Sequence, residues 1–227
     1  MILNIYKPKN WTSFDVVAKA RGVLKVKKAG HAGTLDPLAE GVLIVLTNDD
    51  TKKQAKFMEM EKEYVAEIAL GAVSPTYDLE MLPALTATPE SEKIFKEIEK
   101  VLPIFIGDIE QIIPSYSAKK IKGKAMYKLA RQGKEIPEQR KNVTISSIDV
   151  LEEKIRDLDT DRGVKALPCV KLKIKCSSGT FVRSLAHELG EKLGTGGVLV
   201  SLVRSAVGSY KVENSVKIED LVSQQSA

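Results

Sequence analysis

Apolar and polar residues alternate most plainly at 170–176, where Val170, Leu172, Ile174 and Cys176 are separated by Lys171, Lys173 and Lys175. A period of two predicts a strand with one packed and one wet face. Residues 13–25 instead place Val16, Val17, Ala20, Val23 and Leu24 at helical spacing, with Ser13 as the cap. The continuous run GVLIVLT at 41–47 predicts a strand buried on both faces. Further strands are predicted at 63–70, 143–151 and 198–207, and a helix at 180–193. Thr88-Pro89 predicts the start of another helix in a cap-then-first-turn arrangement, with Ile94, Phe95, Ile98, Val101 and Leu102 on its apolar side. Residues 74–87 read as a long loop and the last dozen residues as a fraying tail. With no internal repeat or low-complexity linker, this order of elements predicts one α+β domain.

Composition excludes two classes. Of 227 residues, 43% are hydrophobic, too many for a wholly disordered chain. The longest apolar run, Val42 to Leu46, is far short of the roughly 20 residues that span a membrane. Met1 leads directly into a strand-like segment with no signal-peptide pattern, so a cytoplasmic location is expected. Seven residues of strand separate Cys169 from Cys176 by roughly 23 Å, whereas a disulfide needs Cα atoms within about 7 Å. With His31 and His187 the only histidines, no zinc spacing exists either. The expectation is a reduced protein without metal. Asp157, Asp159 and Asp161 imitate a calcium loop, but Arg162 and Pro168 stand where Gly and Glu are required, which leaves an acidic turn. Gly194-Thr195-Gly196-Gly197 follows a predicted helix and not a strand, so it reads as a flexible connection and not a phosphate cradle. Ser117 and Lys119–Lys120 match the short Ser-x-x-Lys string of penicillin-binding enzymes without its companion motifs.

The net charge of +5 changes the picture only through its distribution. Between Lys119 and Lys141 nine Lys or Arg face only Glu135 and Glu138, with Tyr116 and Tyr127 in or beside the segment. Such a segment can neutralise phosphates and pack on sugars or bases; a solvated lysine-rich hairpin is the plainer alternative. The densest chemistry lies elsewhere, in GHAGTLDPLAEG at 30–41. Asp36 precedes Pro37, which biases its backbone to an extended form. From spacing alone, an Asx-type turn and a reactive site both remain open.

That stretch, continued as GHAGTLDPLAEGVL, is very similar to the catalytic motif of TruB-type pseudouridine synthases. Lys7-Pro8 followed by Trp11-Thr12-Ser13 resembles the family's opening KPxGxTS. Residues 111–120, QIIPSYSAKK, resemble QxPPxYSAxK, and Gly123, Tyr127, Ala130 and Arg131 continue the match. CSSGTFVRSLAHELGEKLG at 176–194 is a further segment in family order, so the resemblance covers residues 2–210.

The resemblance implies the pseudouridine synthase fold, a mixed, mostly antiparallel sheet flanked by helices with an inserted basic thumb at 111–141. It implies a catalytic domain over 1–212, a tail at 213–227 and no PUA domain. The activity implied is isomerisation of uridine to pseudouridine at position 55, in the T loop of tRNA, with base flipping and without cofactor or metal. Asp36 matches the nucleophile, Arg183 the arginine that pairs with it, and Tyr64 the tyrosine that stacks on the target base and takes part in proton transfer. His31 matches the histidine that holds bases next to the flipped one, and Leu202 the leucine against the uracil. Phe181 stands where the family usually has Tyr, keeping the ring and losing the hydroxyl. Lys119, Lys120, Lys122, Lys124, Lys128 and Arg131 fall in the thumb that clamps the T stem-loop. The expected partner is tRNA alone, bound by a monomer with no membrane, guide RNA or protein partner. Asn10 replaces a glycine, which requires only that it adopt positive φ. His187 matches nothing catalytic and reads as structural. Two rival readings share the fold: a noncatalytic RNA-binding module, and the guide-RNA-dependent relatives that modify rRNA.

Overall fold

A computed structural model of the chain describes residues 1–117, 119–121 and 123–221. Its main feature is a ten-stranded sheet. The strands are β1 (Ile2–Lys7), β2 (Ala29–His31), β3 (Glu40–Thr47), β4 (Lys62–Leu70), β5 (Gly107–Ile112), β6 (Arg140–Thr160), β7 (Gly163–Cys176), β8 (Gly197–Val207), β9 (Tyr210–Lys211) and β10 (Val216–Lys217). They run in the order β10-β1-β3-β8-β4-β7-β6-β5, with β2 also on β3 and β9 on β8. Parallel pairs (β1 with β10, β3 with β8) sit among antiparallel ones (β1 with β3, β5 with β6), so the expected mixed α+β fold is present. The helices are α1 (Ser13–Val23), α2 (Gln54–Glu59), α3 (Ser91–Val101), α4 (Met126–Ala130) and α5 (Val182–Lys192). No helix among the described residues is long and apolar enough to cross a membrane.

The chain divides into two compact units, the first comprising Met1–Val65, Lys175–Ser178 and Ser201–Ala227. Its organising element is β3, whose two faces feed two separate cores. Leu43 and Val45 pack with Ile5, Val16, Val17 and Ala20. Val42, Ile44 and Leu46 pack on the other face with Ala32, Phe57 and Val207. This double burial is why the run reads as continuously apolar. α1 forms where its spacing predicts, but its cap is Thr12, not Ser13. Thr12 and Asp15 bond each other's backbone N–H groups in a capping box. Ser13 is buried and bonds Leu35 instead, which a cap exposed to solvent could not do. The tail also departs from expectation. Val216 and Lys217 pair with β1, and Ile218 and Leu221 are buried beneath α1, so residues 216–221 are packed and not frayed.

The second unit comprises Ala66–Ile174 and Gly179–Val200. Its core joins Ala69, Leu167, Cys169, Val198 and Val200. α3 buries Ile94 and Ile98 as its spacing predicts, but it starts later than Thr88-Pro89, with Glu90 as a cap that makes no side-chain bond. β6 is far longer than the predicted 143–151, so Asp157 and Asp159 lie within a strand and only Asp161–Arg162 form the turn. Residues 149–157 of β6 are largely exposed on both faces, and without a packed face a strand has no apolar period to read. The Gly194–Gly197 segment is a tight helix-to-strand connection and not a flexible one. Thr195 and Gly196 donate their N–H groups to Gly190 O, and Thr86 Oγ1 bonds Thr195 O. Cys169 and Cys176 form no disulfide, and no cluster of metal ligands exists among the described residues.

Candidate functional site

In the first unit, the Asp36 turn between β2 and β3 is fastened on every side through its main chain. Asn10 donates its N–H to Pro37 O at 2.8 Å, and Ala39 N–H closes the turn onto Asp36 O at 3.0 Å. Ser13 Oγ accepts from Leu35 N–H at 2.9 Å and donates to Leu35 O at 3.1 Å. Lys7, fully buried, donates from Nζ to Ala39 O (2.5 Å), Pro8 O (3.0 Å) and Pro37 O (3.4 Å). Asn10 has φ 66°, the positive value expected of the residue that replaces a glycine. These bonds run to backbone groups and fix the main chain that carries Asp36. Asp36 itself is partly exposed.

Around this turn the first unit gathers Tyr64, His31 and Leu202. Tyr64 is buried near the start of β4, and burial pushes its phenol up. The charge of the Arg204 guanidinium pulls the other way, and that of Asp36 adds to the upward push. His31 ends β2, with its carbonyl held by Gln54 Nε2 at 2.7 Å. Burial, and then the charge of Arg204, lower its pKa, so its ring is neutral at pH 7 and suited to stacking. Leu202 is buried in β8. Burial also lowers the Lys7 ammonium to about 8, opposed by the attraction of Asp36 and Glu40.

Arg204 lies outside the residues that motif and spacing single out. It is 1% exposed and donates to Val42 O (2.7 Å), Gly33 O (3.2 Å) and Thr34 O (3.4 Å). One signal is available in the sequence: Arg204 falls in phase with the buried Val198, Val200 and Leu202 of β8, a place where a charge requires a partner.

The second unit holds Arg183 and Phe181. Arg183, at the start of α5, is buried, and donates to Thr76 O (2.8 Å) and Tyr116 O (3.0 Å) while pairing with Asp78 at 3.7 Å. The loop carrying Thr76 and Asp78 is bent by Tyr77 at φ 63°, whose ring stacks on His187 at 4.0 Å. His187 is thus structural in its own unit. Gln111 clamps Phe181 through both its N–H (2.8 Å) and its carbonyl (2.9 Å), which places the Gln of the QIIPSYSAKK stretch beside the GTFVRS stretch.

The basic insertion forms a short hairpin, Lys120–Ile121 with Lys124–Ala125, followed by α4. Lys124, Tyr127 and Lys128 line one surface cavity. Arg131 sits over the Tyr127 ring at 5.7 Å and pairs with Glu80 at 3.2 Å. Lys119 is exposed, the Lys120 side chain is not described, and Lys122 lies outside the described residues.

Residues 21–182 match the family model described as TruB family pseudouridylate synthase, N-terminal domain, and residues 183–227 that of the tRNA pseudouridylate synthase B C-terminal domain. The chain is 43% identical to a tRNA pseudouridine synthase B of Bacteroides fragilis, over 99% of this chain and 94% of the relative. It is 40% identical to that of Clostridium tetani, over 97% of this chain and 72% of the relative. Among solved structures, a Cbf5-Nop10-Gar1 complex superposes with a TM-score of 0.70 at 28% identity, over 98% of this chain and 53% of the Cbf5-containing match.

Proposed function

The chain belongs to the TruB family of pseudouridylate synthases and isomerises uridine to pseudouridine in tRNA; from that premise we propose that its target is position 55 of the T loop and that Asp36 is the nucleophile. The observation that carries the reading is the main-chain fastening of the Asp36 turn, which fixes the backbone that carries this carboxylate.

A carboxylate can form and release a covalent adduct at neutral pH. Asp36 attacks either the uracil ring or ribose C1′, and both routes end alike. The N1–C1′ bond breaks, the base turns, C5 bonds to C1′, C5 loses its proton and N1 gains one. No oxidant or cofactor enters that balance. The target base must leave its stack, at a cost of about a few kcal/mol. His31 supplies a neutral ring to the vacated stack, while Tyr64 and Leu202 bracket the uracil and Tyr64 takes part in the proton transfer. Arg183, fixed by two carbonyls and Asp78, takes the role of the family arginine that pairs with the nucleophile, as the motif match implies, and Phe181 that of the family's aromatic residue. The thumb lysines grip the T stem. The enzyme works as a cytoplasmic monomer without guide RNA or protein partner.

The test is incubation with unmodified tRNA, and with a bare T stem-loop, followed by pseudouridine mapping at nucleotide resolution. Modification at position 55 of both substrates is expected. Binding without modification would favour the noncatalytic module, and a requirement for a guide would favour the rRNA-modifying relatives.

Charge reversal of Lys124 and Lys128 should weaken stem-loop binding. The slope of log affinity against log salt should fall by about 0.7–0.9 for each phosphate that is no longer neutralised. Filter binding at a series of KCl concentrations checks this, and an unchanged slope removes the insertion from the interface. Arg131 should contribute less, since Glu80 already engages it.

A further inference from the structure

Two glycines bring the reactive turn against β8. Gly41 pairs with Arg204 in the parallel register of β3 and β8, and at φ +99° a side chain there would overlap the Arg204 carbonyl. Gly33, at φ +98°, takes a backbone conformation that side chains rarely adopt, and a Cβ there would just touch the guanidinium, at 3.5 Å from Nη1. The close approach lets one side chain reach both sides of the site. Nη1 and Nη2 of Arg204 bond the carbonyls of Thr34 and Gly33, two and three residues before Asp36. Nε anchors on Val42 O in β3.

We propose that Arg204 is a positioning residue for the isomerisation, tying the backbone that leads into Asp36 to strand β3 so that the carboxylate is held in one fixed place. The inference rests on the roles proposed for Asp36 and Tyr64. A planar fork with five N–H donors can serve three carbonyls that lie in different directions, which a lysine, as a single flexible point charge, cannot. Its charge adds a second effect. Burial alone would make the Tyr64 phenol harder to ionise, and Arg204 opposes that while keeping His31 neutral. The arginine is therefore placed to set both the geometry and the electrostatics of groups that touch substrate.

The test compares Arg204→Lys with Arg204→Met by single-turnover kinetics on a T stem-loop, and by amide hydrogen exchange of the free protein. Misplacing a reacting group by an ångström costs about 100-fold in rate, so Arg204→Lys should lose about that much in kcat, with KM within about threefold. Exchange at Leu35 and Ala39 should quicken at least about tenfold while α1 and β1 keep their protection. Arg204→Met should be slower still; where it fails to fold, Arg204→Lys carries the test. Wild-type kcat in Arg204→Lys would overturn the proposal, as would faster exchange spread evenly over α1, β1 and β3, because that pattern marks general loosening. The exchange measurement needs no turnover, so it stands apart from the nucleophile assignment. An active Asp36→Asn variant would remove the role of Asp36 while leaving the exchange result of Arg204→Lys to report on the turn.

Discussion

Asp36→Asn is expected to lower the rate of pseudouridine formation by about 10,000-fold or more, the scale on which removal of an essential covalent group acts. The substitution is nearly isosteric, and the bonds that shape the turn run through the main chain of Leu35, Asp36, Pro37 and Ala39. The turn should therefore persist. Affinity for a T stem-loop should stay within about threefold, because uniform binding is separate from an interaction made in the transition state. Single-turnover mapping at nucleotide resolution gives the rate, and filter binding gives the affinity. Activity within about tenfold of wild type would reject Asp36 as nucleophile, and a parallel collapse of affinity would show that the residue shapes the turn instead.

Lys7→Met is the second large effect, and it acts first on stability. Lys7 is fully buried with three carbonyls on its ammonium, and methionine keeps the stem while offering them nothing, although Pro37 O retains the Asn10 N–H. Each buried acceptor left without a donor costs about 1–3 kcal/mol. Relief of the desolvated charge offsets part of that, so a net destabilisation of about 2–4 kcal/mol is expected. At about 2–4 °C per kcal/mol for a chain of this size, the melting midpoint should fall by about 4–16 °C. Denaturant melts and thermal scans check it, and an unchanged midpoint would show that the ammonium does not hold the turn.

The same lysine gives a pH signature. Its folded pKa of about 8 lies below the ordinary 10.5, so its ionised form is penalised in the fold at lower pH. That penalty fades as pH rises from 8 to 10.5, which by itself stabilises the folded state. Deprotonation nevertheless removes one of three donors and a positive charge beside Asp36. Turnover should thus decline across about pH 8–9 without a matching fall in melting midpoint, and Lys7→Met should lack that decline. A wild-type decline that persists in Lys7→Met would assign it to another group.

Local pattern carried much of the fold. β3 is apolar on both faces because two cores meet on it, and α1 buries Val16, Val17 and Ala20 at the spacing that predicts it. Ordered motifs were enough to identify the family and to single out Asp36, since it and His31 lie within one short stretch of chain, GHAGTLDPLAEG. Periodicity is informative wherever one face is packed, because burial then imposes a repeat. It fails for residues 149–157 of β6, which are largely exposed on both faces, and for the short β10, whose place depends on pairing with the first strand.

How the turn is held emerges only when distant parts of the chain meet. Lys7 contacts Ala39 across 32 residues, Ser13 contacts Leu35 across 22, and Arg204 reaches Gly33 across 171. A hydrogen bond between distant positions leaves no trace in local composition, because either partner alone is satisfied by water until folding removes it. One contiguous motif therefore suffices to single out the carboxylate, whereas the buried cations that brace its turn, Lys7 and Arg204, are assigned by long-range packing.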